Sequence, residues 1–432
     1  MEQAKVKQAE IGEIPKKLKK FRLGELVDIT SSKRIFFSEY LSDGIPFYRS
    51  KEIIEKFNNQ NVSTELFISR ERFKKIKREY GVPQSGDILL TSVGTLGVPW
   101  LIEDDSEFYF KDGNLTWFRN FKKETLWNKY LYYWLISRQG KQKLLESSIG
   151  STQQALTIAG LKNIEIELPS LGEQRAIAKI LFDLDEKIEL NHQMNKTIES
   201  IAQAIFKQWF VDFEFPDEKG RPYKSSGGKM VESELREIPP GWQVRSLGES
   251  GTFKNGINYL RDEIGDTDFF IANVRDIANN KLLLKGSLDK IKINLSKAKE
   301  YLLQEKDILI ARSASPGEIS LVLGDLEKVI YSGFSIRYRL NNPNNYLYIF
   351  HIMQGLKRNL QNYSIGTTLQ SVNQETLKNM KFILPSDETL KEFNRISKQI
   401  LDKALNNLLQ NRELSQIRDS LLPRLMSGKI RV

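Results

Sequence analysis

The 432-residue sequence has no cysteine and only two histidines, His192 and His351. Without thiols there are no disulfides, no thiolate metal sites, no iron–sulfur cluster and no cysteine nucleophile. Two remote histidines are too few for a His-based zinc site and argue against triad chemistry, so both read as structural. No apolar run approaches the roughly 18 residues of a membrane span. The stretch Met1 to Lys20 is polar and carries no signal-peptide core. These absences point to a cytoplasmic chain with no membrane role.

What is present is ordinary for a globular protein: 40% hydrophobic and 28% charged residues. The length predicts two or three domains, since single cores stop growing near about 250–300 residues. Lys+Arg outnumber Asp+Glu by 65 to 55, a net charge of +10. If clustered, that surplus favours a polyanionic partner; if dispersed, it serves solubility.

The chain is written twice. Glu13-Ile14-Pro15 recurs as Glu237-Ile238-Pro239, and Leu23-Gly24-Glu25 as Leu247-Gly248-Glu249, each 224 positions later. Asp87-Ile88-Leu89 recurs as Asp307-Ile308-Leu309 after 220. Tyr130-Leu131, Ile149-Gly150 with Thr152, and Leu168-Pro169-Ser170 recur after 216, as Tyr346-Leu347, Ile365-Gly366 with Thr368, and Leu384-Pro385-Ser386. Any one match is chance-level, but their common order is not. The period is too long for a solenoid, which leaves a duplicated domain.

Each copy starts with a region of short β-like runs, such as Asp87–Thr91, Glu107–Phe110, Leu115–Arg119 and Ile308–Ala311. Helical stretches follow near Leu126–Leu145 and Tyr346–Leu360, and each copy ends in a long helix, Leu171–Phe210 and Asp387–Met426. In the first helix, Ile177, Leu181, Leu184, Ile188, Asn191, Asn195, Ile198, Ala202, Ile205 and Trp209 alternate spacings of four and three, a heptad seam. Its repeat equivalent, from Phe393 to Leu425, is interrupted by Ser397 and Arg418. Both seams turn polar at the same place: Asn191 and Asn195 in one, Asn407 and Asn411 in the other. Antiparallel pairing would set Asn191 against Asn411 and Asn195 against Asn407. Buried amides would then fix the register, the alternative being that they face solvent. A seam of this length spans about 48 Å, roughly 14 base pairs of duplex.

Several stretches resemble those of type I restriction–modification specificity (S) subunits. They are Leu168–Ile177, Phe206-Lys207-Gln208-Trp209-Phe210-Val211-Asp212-Phe213, Lys224–Gly228, Glu237–Trp242 with Leu247–Glu249, and Arg418–Ile430. The resemblance runs in order through the whole chain. The two copies depart from each other where Leu18 stands opposite Trp242, and where the second copy lacks the pair Gln174-Arg175. The resemblance implies a mixed α/β (α+β) architecture of two similar target-recognition domains, separated by two long antiparallel coiled-coil helices in a pseudo-twofold internal repeat. Residues 1–169 would form recognition domain 1, 170–215 the central conserved helix, 216–236 a linker, 237–385 recognition domain 2 and 386–432 the distal conserved helix.

It also implies a non-catalytic DNA-recognition subunit that reads a bipartite site in double-stranded DNA and docks two modification (M) subunits. Those would carry adenine methylation with S-adenosylmethionine. A restriction (R) subunit, where the system has one, would join through them and use ATP and Mg. The sequence agrees in lacking an Asn-Pro-Pro-Tyr motif and a Gly-rich Lys-Ser/Thr phosphate loop. Rival readings are a stand-alone DNA-modifying enzyme and a coiled-coil scaffold without DNA affinity.

Phosphates are contacted by Lys, Arg and hydroxyl groups, and bases by Arg, Lys, Asn and Gln. The densest basic stretch holds Arg70, Arg72, Lys74, Lys75, Lys77 and Arg78, with Phe73 and Tyr80 interleaved. It is either a backbone-tracking patch or a solvated helix face. The loop Thr91, Ser92, Gly94, Thr95 follows a strand and offers hydroxyls and glycines, as a DNA loop or a simple hairpin turn; it aligns with Arg312, Ser313 and Ser315. Arg49 and Lys51 align with Asn273 and Arg275 as a further candidate set. Ser151, Thr152 and Gln154, with Thr367, Thr368 and Gln370, read as structural turns or DNA contacts. Ile180, Ile201, Phe206, Phe210 and Leu422 are apolar positions off the seam, for M-subunit docking or for packing on the recognition domains.

Overall fold

The computed structural model describes residues 18–58, 60, 62–150, 154–259, 265–355 and 372–432. Ser151, Thr152, Thr367, Thr368 and Gln370 lie outside the described residues. The chain divides into two compact units, Met1–Asn191 with Leu409–Val432, and His192–Leu408.

In the first unit, a sheet of four antiparallel strands runs in the order Asp28–Thr30, Leu115–Arg119, Ile88–Thr91, Pro99–Leu101. Ile88, Leu89 and Leu90 form an unbroken apolar run because both faces of their strand are covered. Ile88 and Leu90 join a core with Tyr130, Leu131 and Trp134, whereas Leu89 joins Tyr48, Phe110 and Trp117. A second sheet pairs Ile45–Tyr48 antiparallel with Phe67–Ile68 and parallel with Tyr109–Phe110. The ribbon Lys19–Arg22 against Glu165–Leu168 joins entry to exit.

The second unit repeats this plan strand for strand. Gly251–Asn255, Ser335–Leu340, Ile308–Ala311 and Ile319–Val322 lie in the same order, with Leu282–Leu283 added in parallel at the edge. Thr267–Ala272 sits between Asp289–Ile293 and Val329–Tyr331. Gln243–Ser246 pairs with Lys381–Leu384. Here too Ile308 and Ile310 serve one core and Leu309 another. The duplication read from scattered tripeptides is therefore a duplication of topology.

The helical stretch expected near Leu126–Leu145 is two helices, Asn128–Ile136 and Arg138–Glu146. Ser137 separates them, its Oγ accepting from the Gly140 amide at 3.1 Å. The corner is so tight that a Cβ on Gly140 would lie 1.9 Å from the Trp134 carbonyl oxygen. The two long helices are Leu171–Phe206, continued by the π-helical turn Lys207–Val211, and Asp387–Met426. Each is capped by a serine 216 positions from the other: Ser170 Oγ accepts from the Glu173 amide, and Ser386 Oγ from the Thr389 amide.

Within the first unit, Ile177, Leu181 and Ile188 are buried, as is Leu425 of the second long helix. Asp185 receives both the Tyr133 hydroxyl and the Arg418 guanidinium at 2.7 Å. Arg418, which interrupts the seam in the sequence, thus ties the helix pair to the recognition region. Asn191 donates to Asn411, and Arg431 reaches Glu173 at 2.8 Å, so the helices run antiparallel. Within the second unit, Asn407 donates to Asn195, and Trp209 packs on Phe393 in the same antiparallel sense.

Candidate nucleic-acid interface

The turn after the central strand is built identically in both units. In the first, the Gly97 amide donates to the Thr91 carbonyl (2.8 Å), Ser92 to Asn114 (2.8 Å) and Leu156 to Ser92 (2.9 Å). In the second, Gly317 donates to Ala311 (3.0 Å), Arg312 to Phe334 (2.9 Å) and Val372 to Arg312 (3.0 Å). Every bond joins the same repeat positions. The tip needs the left-handed backbone, at Gly94 with φ +79° and at Ala314 with φ +61°. Alanine there costs on the order of 1 kcal/mol, a strain the surrounding turn sustains.

This frame corrects two expectations. Thr91 and Ser92 are buried and turned inward. Thr91 Oγ1 accepts from the Val98 amide at 2.9 Å, and the Ser92 hydroxyl bonds Thr116 at 2.7 Å. Their hydroxyls hold the turn and are not free for DNA. Gly94 and Thr95 are exposed at the tip, and Arg312, Ser313 and Ser315 are half-buried.

Arg49 and Asn273 occupy equivalent corners, where a strand of the smaller sheet passes into a helix (Ser50–Phe57 and Val274–Asn279). A buried acid holds each corner: Glu52 accepts from the Arg49 amide (2.7 Å) and Asp276 from the Asn273 amide (2.9 Å). Glu52 also binds the Arg49 guanidinium at 2.9 Å, and this hydrogen bond raises the arginine's already high pKa. Arg275 reaches Asp276 at 3.3 Å and Asp289 at 3.0 Å. Both arginines are therefore oriented by acids, while exposed Lys51 has only a loose partner, Glu55 at 3.9 Å.

The basic stretch is the helix Arg70–Tyr80, capped by Ser69 and anchored through buried Phe73 and Ile76. Arg72 is half-buried against Glu39 at 2.8 Å, a structural strap. Arg70 and Lys77 share Glu107, at 3.9 and 3.5 Å. Lys74 and Lys75 are exposed and form no ion pair among the described residues. The sequence reading missed three exposed rings, Phe36, Phe37 and Phe334. A phenylalanine in a sequence looks like a core residue, so no signal there could have found them.

The docking set also needs correction. Phe210 is 3% exposed, packed among Trp242, Tyr348 and Phe393, and Phe206 stacks on His351. Both build the second unit's core, the π-helical turn carrying Phe210 into it. Ile180 and Leu422 are half-buried on the first unit's core. Ile201 stays 47% exposed, as does its repeat equivalent Ile417. His192 is exposed, while burial pushes the His351 pKa down to about 4.

Residues 15–200 and 239–418 match the family model described as the type I restriction modification DNA specificity domain. The MjaIX specificity subunit of Methanocaldococcus jannaschii is 30% identical, over 99% of this chain and 96% of its own. The HindI specificity subunit of Haemophilus influenzae is 24% identical, over 95% and 99%. The crystal structure of a type I restriction–modification S subunit from M. genitalium shares the fold, with a TM-score of 0.56 at 17% identity over 97% of this chain and 98% of that one. With two matched segments that each carry the same turn, corner and capped helix, this chain belongs to the type I restriction–modification DNA specificity family.

Proposed function

We propose that this specificity subunit reads a split sequence in double-stranded DNA, one half through each unit, and leaves the chemistry to partner subunits. The observation that carries the reading is the shared turn: one backbone frame presents Gly94 and Thr95 in the first unit and Arg312, Ser313 and Ser315 in the second. Two frames alike in backbone and unlike in side chain suit two readers of different sequences. Lys74 and Lys75 supply phosphate contacts that position the first unit without specifying sequence. Arg49, Arg275 and Lys51 approach the duplex from the helix corners.

Residues 1–169 and 237–385 serve recognition, 216–236 link the copies, and helices 170–215 and 386–432 carry the partner surfaces. Ile201 and Ile417, equivalent and exposed, suit the docking of two modification subunits that use S-adenosylmethionine. A restriction subunit with ATP and Mg would join through these. The complex would work in the cytoplasm; among the described residues no helix is long and apolar enough to cross a membrane.

The test is to map methylated adenines genome-wide in cells with and without this gene, and with Arg312→Ala in its place. One split motif should vanish without the gene. With Arg312→Ala, one half should become degenerate while the other is kept. If no split motif disappears, the reading is wrong. Ile201→Asp and Ile417→Asp should each weaken co-purification with the modification subunit.

A further inference from the structure

Phe37 is 90% exposed, and yet its backbone is firmly held. It opens a single helical turn, Phe37–Glu39. The Glu39 carboxylate accepts from the Phe36 amide at 2.9 Å and pairs with Arg72 of the basic helix at 2.8 Å. Tyr40 meets the Phe37 ring edge-on at 6.1 Å and packs on buried Phe47 at 5.1 Å. Leu41 then exchanges two backbone hydrogen bonds with Phe67, at 2.9 and 3.1 Å. The ring thus stands on a pedestal tied to both the sheet and the basic helix. Phe36 beside it is exposed as well.

The second unit has its own exposed ring. Phe334 is 67% exposed, and its carbonyl accepts from the amide of Arg312, so the ring stands at the foot of the reading turn. The Gly333 amide donates to the Ile257 carbonyl at 2.8 Å, and a Cβ on Gly333 would lie 1.9 Å from Asn258 Oδ1. These contacts fix the backbone that carries the ring. In the first unit the same place is taken by Asn114, the acceptor for Ser92.

Phe36, Phe37 and Leu41 together make an exposed apolar patch, the kind that marks a binding surface, and Phe334 stands beside the turn that carries the reading residues. Their surroundings select the partner. Lys33 and Arg34 precede the Phe37 turn, Arg34 paired with Asp112 at 2.8 Å, Lys74 and Lys75 lie on the helix that Arg72 ties to it, and Arg312 adjoins Phe334. Protein interfaces are depleted of lysine. Nucleic-acid interfaces instead combine cations for phosphate with rings that pack on or between bases.

We propose that Phe37 and Phe334 are specificity-side residues that make apolar contacts to the bases, one in each half of the site. The proposal rests on the DNA-reading function above. It predicts a contribution to affinity that releases no counterions, unlike that of the lysines.

The experiment uses the full chain co-purified with its modification subunit and a synthetic duplex carrying the split motif from methylation mapping. Dissociation constants are measured over a range of salt concentrations. Phe37→Ala and Phe334→Ala should each weaken binding roughly 5- to 100-fold, with the slope of log affinity against log salt unchanged. Phe37→Trp should keep most of the affinity, and melting temperatures should stay near wild type. Wild-type affinity in both alanine variants would overturn the proposal and leave the DNA-reading function intact. Loss of the modification subunit from Phe37→Ala would also overturn it, by placing the ring in a protein interface. If the wild-type complex shows no preference for the motif duplex, the function itself fails.

Discussion

Asn191 donates from Nδ2 to Oδ1 of Asn411 at 2.8 Å, and by the repeat Asn407 donates to Asn195 at the same distance. The two acceptors use their own amide groups alike. Asn411 donates to the Ile188 carbonyl and Asn195 to the Ala404 carbonyl, both at 3.2 Å. Ile188 and Ala404 are themselves 216 positions apart. Each unit therefore closes its part of the helix pair with one asparagine pair of the same design. A slip of one residue would strand these amides in an apolar seam, which is why such pairs select a register.

Asn191→Leu alone leaves Asn411 without its donor. It should destabilise the chain by about 1–3 kcal/mol, the cost of a buried acceptor left unmade. Replacing both Asn191 and Asn411 with leucine should recover much of that loss while loosening the register. Urea unfolding checks the first outcome. Cross-linking of introduced cysteine pairs checks the second, and the cysteine-free background makes it clean.

Lys74→Ala with Lys75→Ala should lower the steepness of the salt dependence of DNA binding by about 2, near one per phosphate contact. Folding stability should barely change, since neither has an ion-pair partner among the described residues. Arg72→Ala should behave in the opposite way. It breaks the strap to Glu39, lowers the melting temperature and leaves the slope closer to wild type. Titrating affinity against salt for the three proteins separates the roles.

Acid should loosen the second unit through His351. Burial pushes its pKa to about 4 against an ordinary 6.5, so the unfolded chain takes up a proton that the folded chain refuses. The stability concerned is complete above about pH 6.5 and is lost as pH falls toward 4. A difference of this size amounts to up to about 3 kcal/mol. His351→Gln should flatten stability across that window, as read by urea midpoints at pH 7 and 4.5.

Alkali should act through buried tyrosines. Burial raises the Tyr331 hydroxyl to about 12, and Tyr130, Tyr133, Tyr338 and Tyr348 are raised further. The unfolded chain releases these protons near pH 10 while the fold retains them. Stability is thus intact below about 10 and declines as pH climbs toward the folded values. Tyr130→Phe should reduce the slope of that decline with little cost at neutral pH, since its hydroxyl makes no hydrogen bond among the described residues. Tyr133→Phe should also cost stability at neutral pH, where the hydroxyl donates to Asp185.

The duplication and the long helices were legible in the sequence because they are written as order and period. Leu171, Asp387 and Met426 were read at the helix ends that the structure has. The site was less legible, because exposure is decided by tertiary packing. Thr91 and Ser92 looked like free hydroxyls until the strands beside them turned both inward. Phe210 looked like an outward stripe until a π-helical turn carried it into a core. Asp185 and Arg418, 233 positions apart, gave no sign that one would neutralise the other.

The common turn frame, with its backbone bonds held by strand ends and by Leu156 and Val372, has a consequence for how such a chain changes over generations. Substitutions at positions 95, 313 and 315 leave the cores untouched, so they drift along a nearly flat stability surface. A lineage can explore new targets there without passing through variants that fail to fold. The left-handed tip is the exception: Ala314 already sits at φ +61° and leaves little room for a bulkier or branched newcomer.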